Sequence, residues 1–226
     1  MLLVSSLSAC LPSISEMQSA RMVPVGEREI TPVLSVVPGA EVVSAGAVYF
    51  SPGIHWTKGI SSGLNWRTRI DFVGATQWDY QDSFLGSPSN FGISSISTGP
   101  KFSIIKDRLA IYLPIGFSPA PYIYDGEKEF FYSWFEACLL STWPIVADRL
   151  DFNVSAKVMP FTMPLTDHYA FFSTQIGLAF GESLTNSGCF RVEYAFTIPA
   201  TRTENAGFLS VGYAFRLKQK AKKTKG

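Results

Sequence analysis

Charged side chains are scarce in this sequence of 226 residues: Asp, Glu, Lys and Arg make up 16% of it, against about 25% in an ordinary soluble domain. Long apolar runs are also absent, because no stretch reaches the roughly 18 consecutive apolar residues of a membrane-spanning helix. The two histidines and three cysteines match no metal-ligand spacing, and no phosphate loop or dinucleotide fingerprint is visible. We therefore expect no metal and no cofactor.

Apolar residues nevertheless make up 46% of the chain and aromatic residues 14%. A chain this apolar, without a candidate spanning helix, fits a bilayer only as a closed β-barrel, because only helices and closed barrels satisfy every backbone polar group in lipid. The net charge of +1 conceals five lysines in residues 218–226, so the rest holds 19 − 5 = 14 basic residues against 18 acidic ones. Without a broadly basic surface, we expect no nucleic-acid partner.

Apolar and polar residues alternate along most of the chain from Ile30 onward. Residues 190–198, for example, place Phe190 and Val192 on one face and Arg191 and Glu193 on the other. Alternation over about ten residues between turns is typical of membrane-barrel strands. Such segments lie near 28–37, 46–57, 63–77, 93–105, 109–119, 130–143, 150–161, 169–180, 189–199 and 207–217. We predict an all-β fold over residues 28–217, a closed antiparallel transmembrane β-barrel of about ten strands, with eight or twelve as alternatives.

The connectors alternate between short and long, which predicts the orientation of the barrel. Short ones such as KDR (106–108) and VADR (146–149) are interpreted as periplasmic turns, and the similar KDRLAIYL and ADRLDFNV sequences as one hairpin turn used twice. The longer connectors are interpreted as external loops.

The polar face of the strands holds few charges and many small side chains, as in a narrow lumen. Charges facing hydrocarbon would cost about 2–4 kcal/mol each for Arg or Lys near the midplane, so we expect the apolar face outside. A soluble lipocalin-like binding barrel, with its apolar face inside, is the alternative. His55 has inward parity, and the inward charges are predicted to form a neutralising lumen network of Arg67, Arg69, Asp71, Lys101, Glu136, Asp151, Lys157, Arg191, Glu193 and Arg216.

The first ten residues, MLLVSSLSAC, resemble the lipobox of bacterial lipoproteins, in which an apolar residue and two small residues precede a lipidated cysteine. The resemblance implies a signal peptide over residues 1–9, lipidation of Cys10 and contact with the lipoprotein-sorting machinery. Leu11, rather than Asp, follows the cysteine, which implies the outer membrane. Residues 10–27 lack periodicity and are interpreted as a tether.

The last predicted strand, SVGYAFRL, resembles the β-signal of outer-membrane β-barrel proteins, with Ser210, Gly212, Phe215 and Leu217 at its marked positions. The resemblance implies a bacterial outer-membrane location, with membrane lipids and the barrel-assembly machinery as partners. Residues 218–226 are expected to form a basic periplasmic tail. Cys138 and Cys189 could pair in an oxidising periplasm, but we favour two unpaired thiols.

Membership of the barrel class predicts a fold and a location but no activity. Our first hypothesis is a non-enzymatic barrel with a charge-filled narrow lumen, whose function is carried by external loops or a narrow pore. The alternative is a surface protease. An acidic pair and an Asp–His pair at the external rim resemble the catalytic pairs of the omptins, a family of outer-membrane proteases. The catalytic candidates are Asp79, Asp82, Asp167 and His168. Their spacing differs from the omptin pattern.

Overall fold

The structure is a computed structural model. It describes residues 16–36, 47–77, 92–118, 122–124, 127–129, 132–163, 171–181, 188–199 and 206–218.

The described chain is built almost entirely of strands. In chain order they are β1 (Arg28–Val36), β2 (Ala47–Ser61), β3 (Leu64–Gln77), β4 (Gly92–Ile105), β5 (Leu109–Tyr112), β6 (Ile115–Ser118), β7 (Tyr122–Tyr124), β8 (Glu127–Glu129), β9 (Tyr132–Val146), β10 (Leu150–Met163), β11 (Phe171–Phe180), β12 (Gly188–Pro199) and β13 (Ala206–Leu217). β7 and β8 form a separate hairpin within the connector after β6.

The remaining strands form one antiparallel sheet that closes on itself. Each pairs with its neighbours in sequence, and β1 pairs with both β2 and β13, so that Arg28 lies opposite Leu217. β5 and β6 are two halves of one barrel strand, both lying between β4 and β9. The barrel therefore has ten strands, as predicted, and the alternatives of eight and twelve are wrong.

The fifth barrel strand is interrupted at Leu113 and Pro114, which the sequence analysis treats as part of one strand. Proline has no backbone N–H to donate to a neighbouring strand. The chain detours here over Gly99, where a Cβ would lie only 2.3 Å from the Leu113 carbonyl oxygen. Two hydrogen bonds flank the break, from the Leu113 N–H to Pro100 and from the Glu136 N–H to Pro114, both 3.0 Å.

The two faces of the sheet carry opposite chemistry. Apolar side chains such as Trp143 and Phe172, each 60% exposed, point away from the barrel axis, whereas Arg67 and Arg69 point inward and are almost completely buried. A soluble lipocalin-like barrel has the reverse arrangement, so that alternative is wrong. An apolar outer band around a polar interior is the arrangement of a membrane-spanning barrel.

No helix within the described ranges is long and apolar enough to cross a membrane.

One turn conformation is used twice, at the positions where the sequence predicts it. Asp107 and Asp148 both adopt φ of 57°, a left-handed value that Asp tolerates better than most residues. The N–H of the following arginine closes each turn, from Arg108 to Ile105 at 3.0 Å and from Arg149 to Val146 at 3.1 Å.

Residues 16–23, which we call the lumen segment, lie inside the barrel. Residues 10–27 are expected from their sequence to form a tether, but Glu16, Met17, Ala20 and Val23 are all buried. Residues 24–27 then turn at the end that carries the short connectors, and the chain enters β1. The lumen segment bonds to side chains of the surrounding wall and not to a neighbouring strand. Its sequence therefore shows no strand periodicity.

Gly59 permits the close approach of the chain at this turn. The N–H of Gly26 donates to the Gly59 carbonyl and the N–H of Gly59 donates to the Glu27 carbonyl, both at 3.1 Å. A Cβ at position 59 would lie only 2.1 Å from the Pro24 carbonyl oxygen. A side chain at this position would therefore push the turn away from the wall.

The orientation of the faces predicts the effect of a charge on the outer surface. Ile176, 49% exposed in the middle of β11, should lose about 2–4 kcal/mol of folding free energy on replacement by Arg, since the guanidinium would lie near the bilayer midplane. Ile105, 55% exposed beside the turn after β4, is the matched control, and Ile105→Arg should cost about 0–1 kcal/mol. Urea titration of folding into lipid vesicles measures both, and equal losses would contradict the proposed membrane depth.

Candidate functional site

The lumen brings together charged side chains from several of the described strands. All ten positions that the sequence analysis directs inward are buried. They lie on β3 (Arg67, Arg69, Asp71), β4 (Lys101), β9 (Glu136), β10 (Asp151, Lys157), β12 (Arg191, Glu193) and β13 (Arg216). Arg69 Nη2 lies 3.6 Å from Asp71 and Lys157 Nζ 4.0 Å from Glu136. Shorter contacts run to the lumen segment.

The carboxylate of Glu16 lies at the centre of three cations. Arg69 Nη1 is 2.7 Å from Oε1, Lys157 Nζ is 3.3 Å from the same oxygen, and Arg67 Nη1 is 3.9 Å from Oε2. Arg67 Nη2 also donates to the Glu16 carbonyl. We call Arg67, Arg69 and Lys157 the cation cage. Burial would raise the pKa of Glu16, but the cage outweighs it and lowers that pKa from 4.5 to about 2.

The backbone at the start of the lumen segment is held by β12. Both carboxylate oxygens of Glu193 accept N–H groups, from Glu16 at 2.9 Å and from Met17 at 3.0 Å. Arg191 Nη1 donates to the Met17 carbonyl at 2.8 Å. These side chains satisfy backbone groups that would otherwise be buried without partners.

The middle of the lumen segment is held by β4 and β9. Lys101 Nζ donates to the carbonyls of Ser19 at 2.6 Å and Arg21 at 2.7 Å. The Ala20 N–H donates to Thr142 Oγ1 at 2.7 Å. These contacts and those of β3, β10 and β12 come from five of the ten barrel strands, so the lumen segment lies within the interior.

The end of the lumen segment is held by a bidentate ion pair and an amide. Arg21 Nε and Nη2 donate to the two oxygens of Asp151 at 2.6 and 2.9 Å. The Asn65 amide, oriented to complement the backbone, accepts the Val23 N–H at 2.7 Å and donates to the Val23 carbonyl at 3.2 Å. Asp151 follows the first residue of β10, whereas Lys157 lies near its middle. The lumen segment therefore extends from the short-turn end to about half of the barrel height.

A histidine contacts the cation cage through Arg67. His55 Nδ1 is 2.6 Å from Arg67 Nη2, so this ring nitrogen accepts the hydrogen bond and carries no proton. His55 Nε2, which then carries the proton, is 3.3 Å from Asp71, which also accepts from Ser95 at 3.1 Å. Arg67 lies 5.5 Å from the centre of the Tyr112 ring. The guanidinium of Arg67 is thus held between a neutral imidazole, an aromatic ring and Glu16.

Three charged residues of the lumen were missed by the sequence analysis. Glu29 accepts from Arg191 at 3.0 Å and lies 3.5 Å from Arg216, and its inward parity in β1 could have been read from the alternation. Glu16 and Arg21 carry no comparable signal. Nothing in an aperiodic sequence distinguishes a segment inside the lumen from one outside it.

The structure describes only some of the remaining site candidates. Cys10 and the protease candidates, Asp79, Asp82, Asp167 and His168, lie outside the described residues. The positions of the insertion-signal resemblance lie on β13, with Ser210 and Gly212 buried and Phe215 and Leu217 exposed on the outer face. Ser210 Oγ lies 2.7 Å from Ser35 Oγ, across the seam where β13 meets β1.

Cys138 and Cys189 are both buried. They belong to different apolar clusters, Cys138 with Ala20 and Tyr112, and Cys189 with Ala179 and Ala214. Within the described ranges, no group of three or more His, Cys, Asp or Glu could hold a metal ion.

Comparison with solved structures finds bacterial outer-membrane proteins. The chain is similar to an outer-membrane channel from Pseudomonas putida F1, with 8% identity and a TM-score of 0.49 over 88% of this chain and 98% of that one. It is also similar to the outer-membrane protein OprG from Pseudomonas aeruginosa, with 8% identity and a TM-score of 0.32 over 89% and 100% of the two chains. The β domain of the Bordetella autotransporter BrkA gives 13% identity and a TM-score of 0.42 over 86% and 99%. No protein-family model and no curated protein matches the sequence.

The low pKa of Glu16 predicts how stability depends on pH. A carboxyl group whose pKa is lowered by folding stabilises the fold above its ordinary pKa and loses this effect as pH falls from about 4.5 to about 2. Glu16→Gln keeps the shape of the side chain but leaves the cation cage without its carboxylate, which should cost about 3–5 kcal/mol near neutral pH.

Urea unfolding of wild type and Glu16→Gln from pH 7 to pH 2 measures this difference. We expect it to be largest above pH 5 and to shrink as pH falls towards 2. Other acidic groups titrate in both proteins, so the subtraction isolates Glu16. A difference that stayed constant over this range would contradict the ion pairing.

Proposed function

We propose that this chain is a non-enzymatic outer-membrane β-barrel lipoprotein whose narrow pore is held closed by its own lumen segment. The observation that carries the proposal is the set of contacts between residues 16–23 and the inward side chains, which come from β3, β4, β9, β10 and β12. A segment held inside the barrel by five of its ten strands blocks the path of a solute along the barrel axis.

The size of the barrel supports a closed pore. Ten strands enclose little interior space, and large side chains such as Arg67, Arg69, Tyr112 and Phe208 fill part of it. Once the lumen segment is added to these side chains, little room is left for bulk water or solute. A pore of useful width therefore requires this segment to move.

The contacts that hold the lumen segment are of a kind that allows the segment to move. The lumen segment is held mainly by hydrogen bonds and ion pairs, including those of Glu16, Arg21, Lys101 and Glu193. Water can replace each of these contacts once it enters, so release exchanges polar contacts for hydration, and a hydrogen bond to a charged group contributes about 1.5–3 kcal/mol net. Within the described residues, the peptide chain through residues 24–27 is the one covalent link between the segment and the wall.

The location and the lipid anchor rest on the two ends of the sequence. The lipobox resemblance of residues 7–10 supports a signal peptide and a lipidated Cys10. The insertion-signal resemblance falls on β13, the strand that closes the barrel against β1. The short turns would face the periplasm and the longer connectors would form external loops, which we expect to select what reaches the pore.

Conductance tests the closed pore. Replacing residues 16–23 with a Gly-Ser segment of equal length should convert a silent barrel into one with a stable conductance in planar bilayers, because the contacts that hold the segment inside are removed. The matched control replaces residues 219–226, which lie beyond β13, in the same way and should stay silent.

Both variants are first checked for a heat-shifted band in gel electrophoresis, which reports a folded barrel. A folded lumen-segment variant that conducts no more than the wild type would refute the closed pore. A wild type with a large stable conductance would refute it equally.

Labelled palmitate tests the lipid anchor. Growth with the label should mark the wild type in the outer-membrane fraction, and Cys10→Ser should abolish the label because no other residue offers the lipobox position. Cys189→Ser, at a buried thiol of the barrel wall, is the control and should remain labelled. Unlabelled wild type, or label that persists in Cys10→Ser, would show that Cys10 is not the anchor.

A further inference from the structure

The cation cage surrounds a carboxylate that does not belong to the barrel wall. Arg67 and Arg69 come from β3 and Lys157 from β10. These strands are four positions apart around the ten-stranded ring, so their side chains approach from nearly opposite walls. Glu16 reaches the point where they meet from a segment whose described part continues into the wall through the turn before β1.

Arg67 depends on Glu16 for its ion pair. Asp71 lies 3.6 Å from Arg69, and Glu136 lies 4.0 Å from Lys157. Among the described residues, Arg67 forms an ion pair with Glu16 alone, it faces the neutral His55 ring and the Tyr112 ring, and its buried Nε has no hydrogen-bond partner. Without Glu16, Arg67 would be a buried cation with no carboxylate partner among these residues, an arrangement that burial makes costly.

We propose that the cation cage is a binding site for a small organic monocarboxylate and that Glu16 is its internal occupant. The inference rests on the proposed function in one respect, since a solute reaches the cage only when the lumen segment moves. The 2.7 Å contact of Arg69 with Glu16 has the length of a charge-assisted hydrogen bond, and an arginine fork suits a carboxylate.

The internal occupant indicates a ligand with one carboxylate. Arg69 and Lys157 contact one oxygen of the Glu16 carboxylate, and Arg67 lies 3.9 Å from the other. Asp71, 3.6 Å from Arg69, would repel a second negative charge on the same ligand. The tether gives Glu16 an effective concentration on the order of mM or more, so a free carboxylate competes effectively only when the segment has left.

Chemical rescue tests the site. Glu16→Ala removes a CH₂–COO⁻ group, which acetate can replace. The variant should unfold at a lower temperature than the wild type, and acetate about 100-fold above its Kd should raise the midpoint by roughly 5–10 °C in a saturable way. Acetamide, which has the shape without the charge, and NaCl at equal ionic strength should have little effect.

The double variant Glu16→Ala/Arg69→Gln is the control for the site and should lose the effect of acetate. If Glu16→Ala does not fold alone, the yield of heat-shifted band after refolding with acetate or with acetamide becomes the measurement. Equal effects of acetate, acetamide and NaCl would overturn the proposal, and so would an acetate effect that survives Arg69→Gln.

This experiment separates the two proposals. Acetate rescue depends on the cage and not on conduction, so rescue together with a silent lumen-segment variant would refute the closed pore and leave the anion site standing. Conduction without rescue would do the opposite. If both succeed, the open pore should be anion-selective, and its reversal potential should shift towards cation selectivity in Arg69→Gln.

Discussion

The pairing of buried charges is the constraint on which the rest of the structure depends. An outer face of apolar side chains commits the polar face to a narrow interior, where an unpaired charge is costly. The wall supplies charges of both signs, but the carboxylate of Glu16 and the guanidinium of Arg21 complete the pairing from a different part of the chain. The lumen segment is therefore part of the electrostatics of the barrel and not only an obstacle within it.

The architecture was predictable because a charged side chain that faces lipid destabilises the barrel. Arg67, Arg69 and Asp71 alternate with Trp66, Thr68 and Ile70, and only one face of that strand can meet hydrocarbon. The same alternation set the strand count and the inward direction of the ten charged positions. The turns at Asp107 and Asp148 were recognisable because the sequence repeats itself there.

Glu16 and Arg21 escaped prediction because they have no local signature, unlike Glu29, whose inward parity in β1 was readable. The partners of Glu16 are distant in sequence, and its surroundings from Glu16 to Val23 have neither the alternation of a strand nor the period of a helix. The break at Pro114 was visible as a proline, but the detour over Gly99 that accommodates it depends on the neighbouring strand. The contacts between the lumen segment and the wall exist only in the assembled barrel. The alternation of residues within one strand therefore cannot predict them.

The hydrogen bond from the Glu16 N–H to Glu193 joins positions 177 apart in sequence, so it closes most of the described chain into one loop. Closing a long loop costs conformational entropy, and folding slows as contacts become more distant in sequence. The wall of this barrel is built mostly by pairing strands that are neighbours in sequence. The lumen segment therefore adds to a largely local fold a set of contacts that are costly in chain entropy.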